Sequence, residues 1–287
     1  NSDYWIVKLD ASGNIIWNKL IGGSLNDRAQ SIQQTTDGGY IVAGYSRSSA
    51  SGDVTETTHG GDDYWIVKLD GTGNIIWNRL LGGNTTDQAF EILQAADGTY
   101  VIAGRSMSSE NGDVTGTNHG TNDYWIVRLS ATGTILWNKL LGGTGQDEAR
   151  SITQKNGDDG YIVAGYSTSS ANGDVTGTNK GNVDYWIVKL DRFGDITWNK
   201  LMGGNEFELA QSIKPTTDGY IVAGYSNSTF NGDVTGTNHG SDDYWIVHLD
   251  NGGNITWNQL VGGSASDQAY SIRQTTDGGF IVAGFSY

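Results

Sequence analysis

A stretch that recurs five times constrains this chain more than any other feature. Its first copy reads Asp3-Tyr4-Trp5-Ile6-Val7-Lys8-Leu9-Asp10-Ala11-Ser12-Gly13-Asn14-Ile15-Ile16-Trp17, and later copies open at Asp63, Asp123, Asp184 and Asp243. The starts lie 60, 60, 61 and 59 residues apart. A period of that length marks a unit that cannot bury its own apolar surface and must stack on copies of itself.

The unit from Asp27 to Gly83 reads as four strands. Ala29–Thr35 is short and partly β-branched, and Asp37-Gly38-Gly39 ends it with a hairpin signal. Tyr40–Tyr45 and Tyr64–Leu69 are apolar on both faces, so each needs cover on both sides. Between them runs a long polar connection from Ser46 to Asp62. Asn74–Leu80 alternates, as a half-exposed outer strand does. No segment carries a helical period.

Four antiparallel strands per unit and five units predict an all-β fold, a five-bladed β-propeller. Separate sandwich domains would need about seven strands and about 100 residues each. The predicted blades are 27–81, 87–141, 147–202 and 208–261, with a fifth shared between 267–287 and 1–21. That two-plus-two closure would remove the open edges of the ring. The ten tryptophans fall two per unit. Each, fully buried, would contribute about 4–6 kcal/mol gross, so ten anchors are expected to replace disulfides.

The turn between third and fourth strands reads Leu9-Asp10-x-x-Gly13-x-x-x-Trp17 and recurs with Asp70, Asp191 and Asp250, while Ser130 stands in the third copy. It resembles the tryptophan-docking turn of quinoprotein-like propellers and, more loosely, the Asp-box of sialidase propellers. The resemblance implies a structural turn joining the two outer strands of a blade. It brings no activity, because neither a quinone-cofactor constellation nor a sialidase arginine triad is recognisable. Over its whole length the chain is similar to tandem repeats of secreted or surface proteins of Bacteroidetes-type bacteria. The shared wording is Gly39-Tyr40-Ile41-Val42-Ala43-Gly44-Tyr45-Ser46, Asn111-Gly112-Asp113-Val114-Thr115-Gly116 and Asp123-Tyr124-Trp125-Ile126-Val127. That resemblance implies export to the cell exterior and membership of a larger surface protein.

Charge narrows the partners. Seventeen Lys and Arg face 32 Asp and Glu, a net charge of −15. No dense basic face is available for nucleic acid or for an anionic membrane. With no cysteine, there is no thiolate nucleophile and no Cys-bound metal.

Three sets of residues qualify as candidate sites. Asp53, Asp113, Asp174 and Asp233 each sit in a Gly-Asp-Val-Thr loop, where closely spaced oxygens could ligate calcium. His59, His119 and His239 share one loop position that Lys180 takes in the fourth copy, and they are candidate ligand-binding groups for a protein or glycan. Asp27, Asp87, Asp147, Glu208 and Asp267 precede the first strands and would crowd one mouth of a central channel, another candidate ligand or cation site. The plainer reading of the loop and channel-mouth acids is a side chain bonded to its own backbone, holding a turn. The Asp before each Tyr-Trp pair reads as a turn or inter-blade hydrogen bond.

Near-identical copies argue against an enzyme, whose site is built from unlike residues. The leading expectation is a monomeric, non-enzymatic interaction module with no resident cofactor, binding through its loop-bearing face. A multivalent lectin with one weak site per blade is the alternative, and a hydrolase at the channel mouth comes third. The fourth copy is the most divergent, with Lys180, Arg192-Phe193, Glu206-Phe207-Glu208 and Pro215.

Overall fold

A computed structural model describes residues 1–287 and contains twenty strands and no helix. In chain order they begin with β1 (Tyr4–Leu9), β2 (Ile15–Ile21), β3 (Asp27–Gln34), β4 (Tyr40–Ser46), β5 (Asp63–Leu69) and β6 (Ile75–Leu81). Next come β7 (Asp87–Gln94), β8 (Tyr100–Ser106), β9 (Asp123–Leu129), β10 (Ile135–Leu141), β11 (Asp147–Thr153), β12 (Tyr161–Ser167), β13 (Asp184–Leu190) and β14 (Ile196–Met202). The last six are β15 (Glu208–Pro215), β16 (Gly219–Ser226), β17 (Asp243–Asp250), β18 (Ile255–Val261), β19 (Asp267–Gln274) and β20 (Phe280–Ser286).

Consecutive strands pair antiparallel into four four-stranded sheets, β3 to β6, β7 to β10, β11 to β14 and β15 to β18. β1–β2 and β19–β20 stand as separate two-stranded sheets. Register repeats from sheet to sheet. Gly44 faces Trp65, as Gly165 faces Trp186 and Gly224 faces Trp245. A bulge falls between Ala29 and Ser31 and again at the equivalent place in β11, β15 and β19.

The chain divides into two compact units, residues 1–118 with 125–140, and 119–124 with 141–287. Each has its own core. In the first unit, Ile41, Ala43, Tyr64, Ile66, Tyr100, Ile102, Trp125 and Val127 pack together. In the second unit, Ile162, Ala164, Tyr185, Ile187, Tyr220, Val222, Trp245 and Val247 repeat the arrangement. A tyrosine locks one sheet to the next. Tyr64 Oη donates to the Trp125 carbonyl at 2.9 Å, and Tyr124 Oη to the Trp186 carbonyl at 2.8 Å. The rings of each pair lie 4.5 Å apart. Glycine is required beside this latch: a Cβ on Gly104 would stand 2.4 Å from Tyr64 Oη and 2.1 Å from the Gln88 carbonyl.

The tryptophans depart from expectation. Trp65, Trp125, Trp186 and Trp245 are fully buried, but Trp5 is 66% exposed and Trp257 41%. Trp17, Trp77, Trp137 and Trp198 are half-buried. They lie on outer strands, where Trp17, Trp77 and Trp198 pack against the cores from the side. Trp77 Nε1 donates to the Ala131 carbonyl at 3.2 Å, and Trp17 Nε1 to that of Gly71 at 3.3 Å. Four indoles, not ten, are full core anchors. The terminal two-stranded sheets keep apolar faces in solvent, with Leu20 at 66% and Ile281 at 63%.

Candidate functional site

In each four-stranded sheet the second and third strands are joined by the long connection, so these loops and the short third-to-fourth turns lie at opposite strand ends. The short turns are built by one carboxylate, except in the β7–β10 sheet, where Ser130 takes its place. Asp70 Oδ1 accepts the N–H groups of Thr72 and Asn74 at 2.8 and 2.9 Å, and Gly73 takes a left-handed φ of 83°. These bonds hold the Asp70 carboxyl well below the usual carboxylate range.

The long loops have no regular structure, yet they are tightly bonded. Each Gly-Asp-Val-Thr aspartate clasps a glycine at the end of a fourth strand. Asp53 Oδ2 accepts the Gly22 N–H at 3.1 Å, Asp113 that of Gly82 at 3.2 Å, Asp174 that of Gly142 at 3.1 Å and Asp233 that of Gly203 at 3.0 Å. The clasp is reciprocal, since the Asp113 N–H donates to the Gly82 carbonyl at 2.8 Å. The loop threonine joins in, with Thr115 Oγ1 donating to Asn138 Oδ1 at 3.2 Å. Each Gly-Asp-Val-Thr segment therefore offers one aspartate, already bonded, to the calcium expectation. Nowhere do three or more His, Asp or Glu side chains gather in an arrangement suited to a metal ion.

The acids before the first strands are buried instead of lining an open mouth. Asp27, Asp87, Asp147 and Glu208 have no exposed surface and Asp267 has 5%. Each accepts the N–H of the second glycine of a Gly-Gly pair. Gly23 reaches Asp27 at 2.7 Å, Gly83 reaches Asp87 at 2.7 Å, Gly143 reaches Asp147 at 2.8 Å, Gly204 reaches Glu208 at 2.7 Å and Gly263 reaches Asp267 at 2.6 Å. Burial raises the Asp87 and Asp147 carboxyls.

The histidines fall beside the aspartates that open the third strands. His59, His119 and His239 place Nδ1 at 3.3, 3.2 and 3.0 Å from Oδ2 of Asp63, Asp123 and Asp243. Their backbone N–H groups donate to the same oxygens, as does that of Lys180 to Asp184 at 2.9 Å. Oδ1 of Asp63, Asp123, Asp184 and Asp243 is buried without a hydrogen bond. Burial pushes the carboxyls of Asp63, Asp123 and Asp184 up to about 6, with the neighbouring acid adding to the rise in each. Around Gly82-Gly83 the chain thus gathers Asp63, Asp87, Asp113 and His59 from separate loops and strands.

Two features of these loops were not singled out in the sequence. Ala50, Glu110, Ala171 and Phe230 hold left-handed φ values of 43°, 49°, 47° and 39°, at one equivalent position and all exposed. They are the only non-glycine residues of the chain with positive φ. The signal was a variable position between nearly constant neighbours, one of several in the loop beside Arg47, Met107, Thr168 and Asn227. The other is a cleft of about 600 Å³ in the first unit, lined by Glu56, His59, Arg79, Asp113 and Thr134 among others. Its signal was Glu56, which stands where the other copies have Gly116, Gly177 and Gly236.

No known family matches the chain. The regulatory protein FlaEY of Caulobacter vibrioides is 25% identical over 189 residues, covering 62% of this chain and 19% of that protein. The chain therefore spans less than a fifth of that relative's length. Among solved structures, hydrazine synthase of Kuenenia stuttgartiensis aligns over 96% of this chain and 65% of its own, at 11% identity and a TM-score of 0.59. A protein of unknown function from Dyadobacter fermentans aligns over 92% of this chain and 74% of its own, at 13% identity and a TM-score of 0.50. At such identities the likeness speaks for the all-β fold alone.

Proposed function

We propose that the chain is a non-enzymatic interaction module of an exported, larger surface protein, binding a protein partner through the face that carries its long loops. In this reading it is a monomeric five-bladed propeller, with β19–β20 and β1–β2 sharing the fifth blade.

The left-handed loop residues carry the reading. A non-glycine residue in that conformation costs about 1–2 kcal/mol, and glycine would remove the cost. The chain keeps Ala, Glu, Ala and Phe there instead. Each is fixed by a hydrogen bond from its own N–H, as Phe230 N–H to the Gly236 carbonyl at 2.9 Å. The two residues before it and the five after it are nearly constant, while this side chain varies, as does the one three positions earlier (Arg47, Met107, Thr168 and Asn227). It is exposed, with Phe230 at 68% and Glu110 accepting the hydroxyl of Thr117. Retained strain beneath a variable exposed side chain is the pattern of a recognition position on a rigid frame. Internal bonding of the loop Asp and Thr side chains favours contact through these tips over one sugar site per blade.

Replacing all four tips by glycine tests this. The frame keeps or gains stability, because glycine adopts the observed φ without strain. Binding of the labelled protein to the surface of cells that produce it is expected to fall at least tenfold. Unchanged binding by a folded variant would overturn the reading.

A further inference from the structure

The cleft in the first unit lies between two long loops and differs from its counterparts in the other copies. Glu56 Oε2 accepts the Leu80 N–H at 2.6 Å, and Oε1 pairs with Arg79 Nη1 at 3.1 Å. Arg79 Nε donates to the Gly133 carbonyl at 3.1 Å. In other copies the Glu56 position is glycine, and a Cβ there would press on a leucine, at 2.7 Å for Gly116 against Leu140. Glu56 and Arg79 thus neutralise one another and wall the cleft, leaving Asp113 with no Lys or Arg partner and only His59 near it.

Asp113 Oδ2 takes the Gly82 N–H, while His59 Nε2 stands 3.9 Å away, beyond hydrogen-bond distance. The carboxylate keeps 27% of its side chain open to the cleft. Burial raises its pKa, opposed by the Gly82 N–H and by His59, with the Glu56 charge adding a smaller rise. A partly desolvated carboxylate with an open side favours a cation at that place.

The chain itself displays which cation. At the equivalent position in the last of the long loops, Asp233 Oδ2 takes the Gly203 N–H at 3.0 Å and also pairs with Nζ of Lys180 from the preceding loop. Lys180 occupies the place of His59 and is fixed by the same backbone bond, to Asp184 in one copy and to Asp63 in the other. The third and fourth long loops therefore place an ammonium beside the Gly N–H on one aspartate oxygen, where the first and second loops place only the Gly82 N–H on Asp113 Oδ2.

We propose that the Asp113 cleft is a primary-ammonium site that accepts a lysine side chain of the protein partner. The ammonium sits on Asp113 Oδ2 as Lys180 sits on Asp233, the threonine hydroxyls of the cleft accept its remaining protons, and the aliphatic stem lies along Leu80 and Ile135. Charge-assisted bonds of this kind are roughly twice as strong as neutral ones. The assignment rests on the interaction-module reading and names the chemistry of the partner.

The test is a titration of the isotope-labelled full chain with Nα-acetyl-lysine amide, followed by NMR at the Gly82 and His59 amides. Nα-acetyl-norleucine amide, which has the stem without the charge, is the control. Saturable shifts with the lysine probe only are expected, weakened at least tenfold in Asp113→Asn. His59→Lys is expected to weaken them equally, because it supplies the ammonium from within. Asparagine can still accept the Gly82 N–H, and His59→Lys leaves Asp113 intact, so a folding defect in one variant leaves the other decisive. No saturable shift, an equal response to norleucine, or full binding by both variants would overturn the proposal. Any of these, with the glycine-tip variant still losing surface binding, would remove the ammonium site and keep the interaction module.

Discussion

At the scale of single residues, the latch between neighbouring sheets is the most exacting device. Tyr124 Oη and the Trp186 carbonyl are both buried and 2.8 Å apart. Tyr124→Phe keeps the ring contact and removes one donor, which should cost about 1–2 kcal/mol. A urea midpoint unchanged from the parent would contradict this role. The recurrence of Tyr-Trp was plain in the sequence, but its pairing across a repeat was not, because strand alternation says which face a side chain takes and not what it meets there. The same gap explains the overcounted tryptophan anchors. Trp65 and Trp77 lie one turn apart in the chain, yet only the first is on a strand covered on both faces.

At the scale of elements, strand order and turn chemistry were legible and the long loops were not. Asp37-Gly38 announced a hairpin, and Gly38 does adopt a left-handed φ of 83°. Asp37 does not, so the turn is longer than a two-residue type I′ loop, closing with Thr35 N–H on the Gly39 carbonyl at 2.9 Å. The Asp turns allow an internal comparison. Ser130 holds the N–H groups of Thr132 and Thr134 at 3.3 and 3.1 Å, against 2.8 and 2.9 Å at Asp70. Ser130→Asp should therefore raise stability by about 0.5–1 kcal/mol, measured by chemical unfolding. The loops from Ser46 to Asp62 and their equivalents read as polar connection only. Their order comes from clasps to glycines outside the loop, and no local pattern encodes those.

At the scale of the whole molecule, the repetition that made the fold readable also concentrates buried carboxyls, and this sets a pH dependence. Asp63, Asp123 and Asp184 titrate at about 6 in the folded chain, above the ordinary value of 3.8. A raised pKa stabilises the fold fully below about 4, and that contribution is lost as pH rises through about 6. The turn carboxyls Asp10, Asp70, Asp250 and Asp277 shift downward, so their contribution fails only at more acidic pH. Thermal stability should thus fall between pH 4 and pH 7, and Asp184→Asn should flatten part of that slope. Asp184 is the informative choice because Lys180, not a histidine, stands beside it. A melting temperature that rises across this range would contradict the assignment. The four-stranded sheets run from Asp27 to Leu81, Asp87 to Leu141, Asp147 to Met202 and Glu208 to Val261, whereas the terminal pairs β1–β2 and β19–β20 remain two-stranded. Near-identical wording also hid the site-bearing differences, since Glu56 is a single departure within repeated text and the loop tips are one variable position among several.

Site-specific photo-crosslinking gives the most direct test of binding through the loop-bearing face. A photoreactive residue is placed at Phe230 in the long loop after β16, and separately at Phe193 in the short turn after β13. Both positions are exposed, at 68% and 57%, and they belong to opposite kinds of connection. On the surface of producing cells, the account predicts a discrete crosslinked partner from position 230 and none from position 193. Crosslinking from position 193 alone would place the partner at the short-turn end and contradict it.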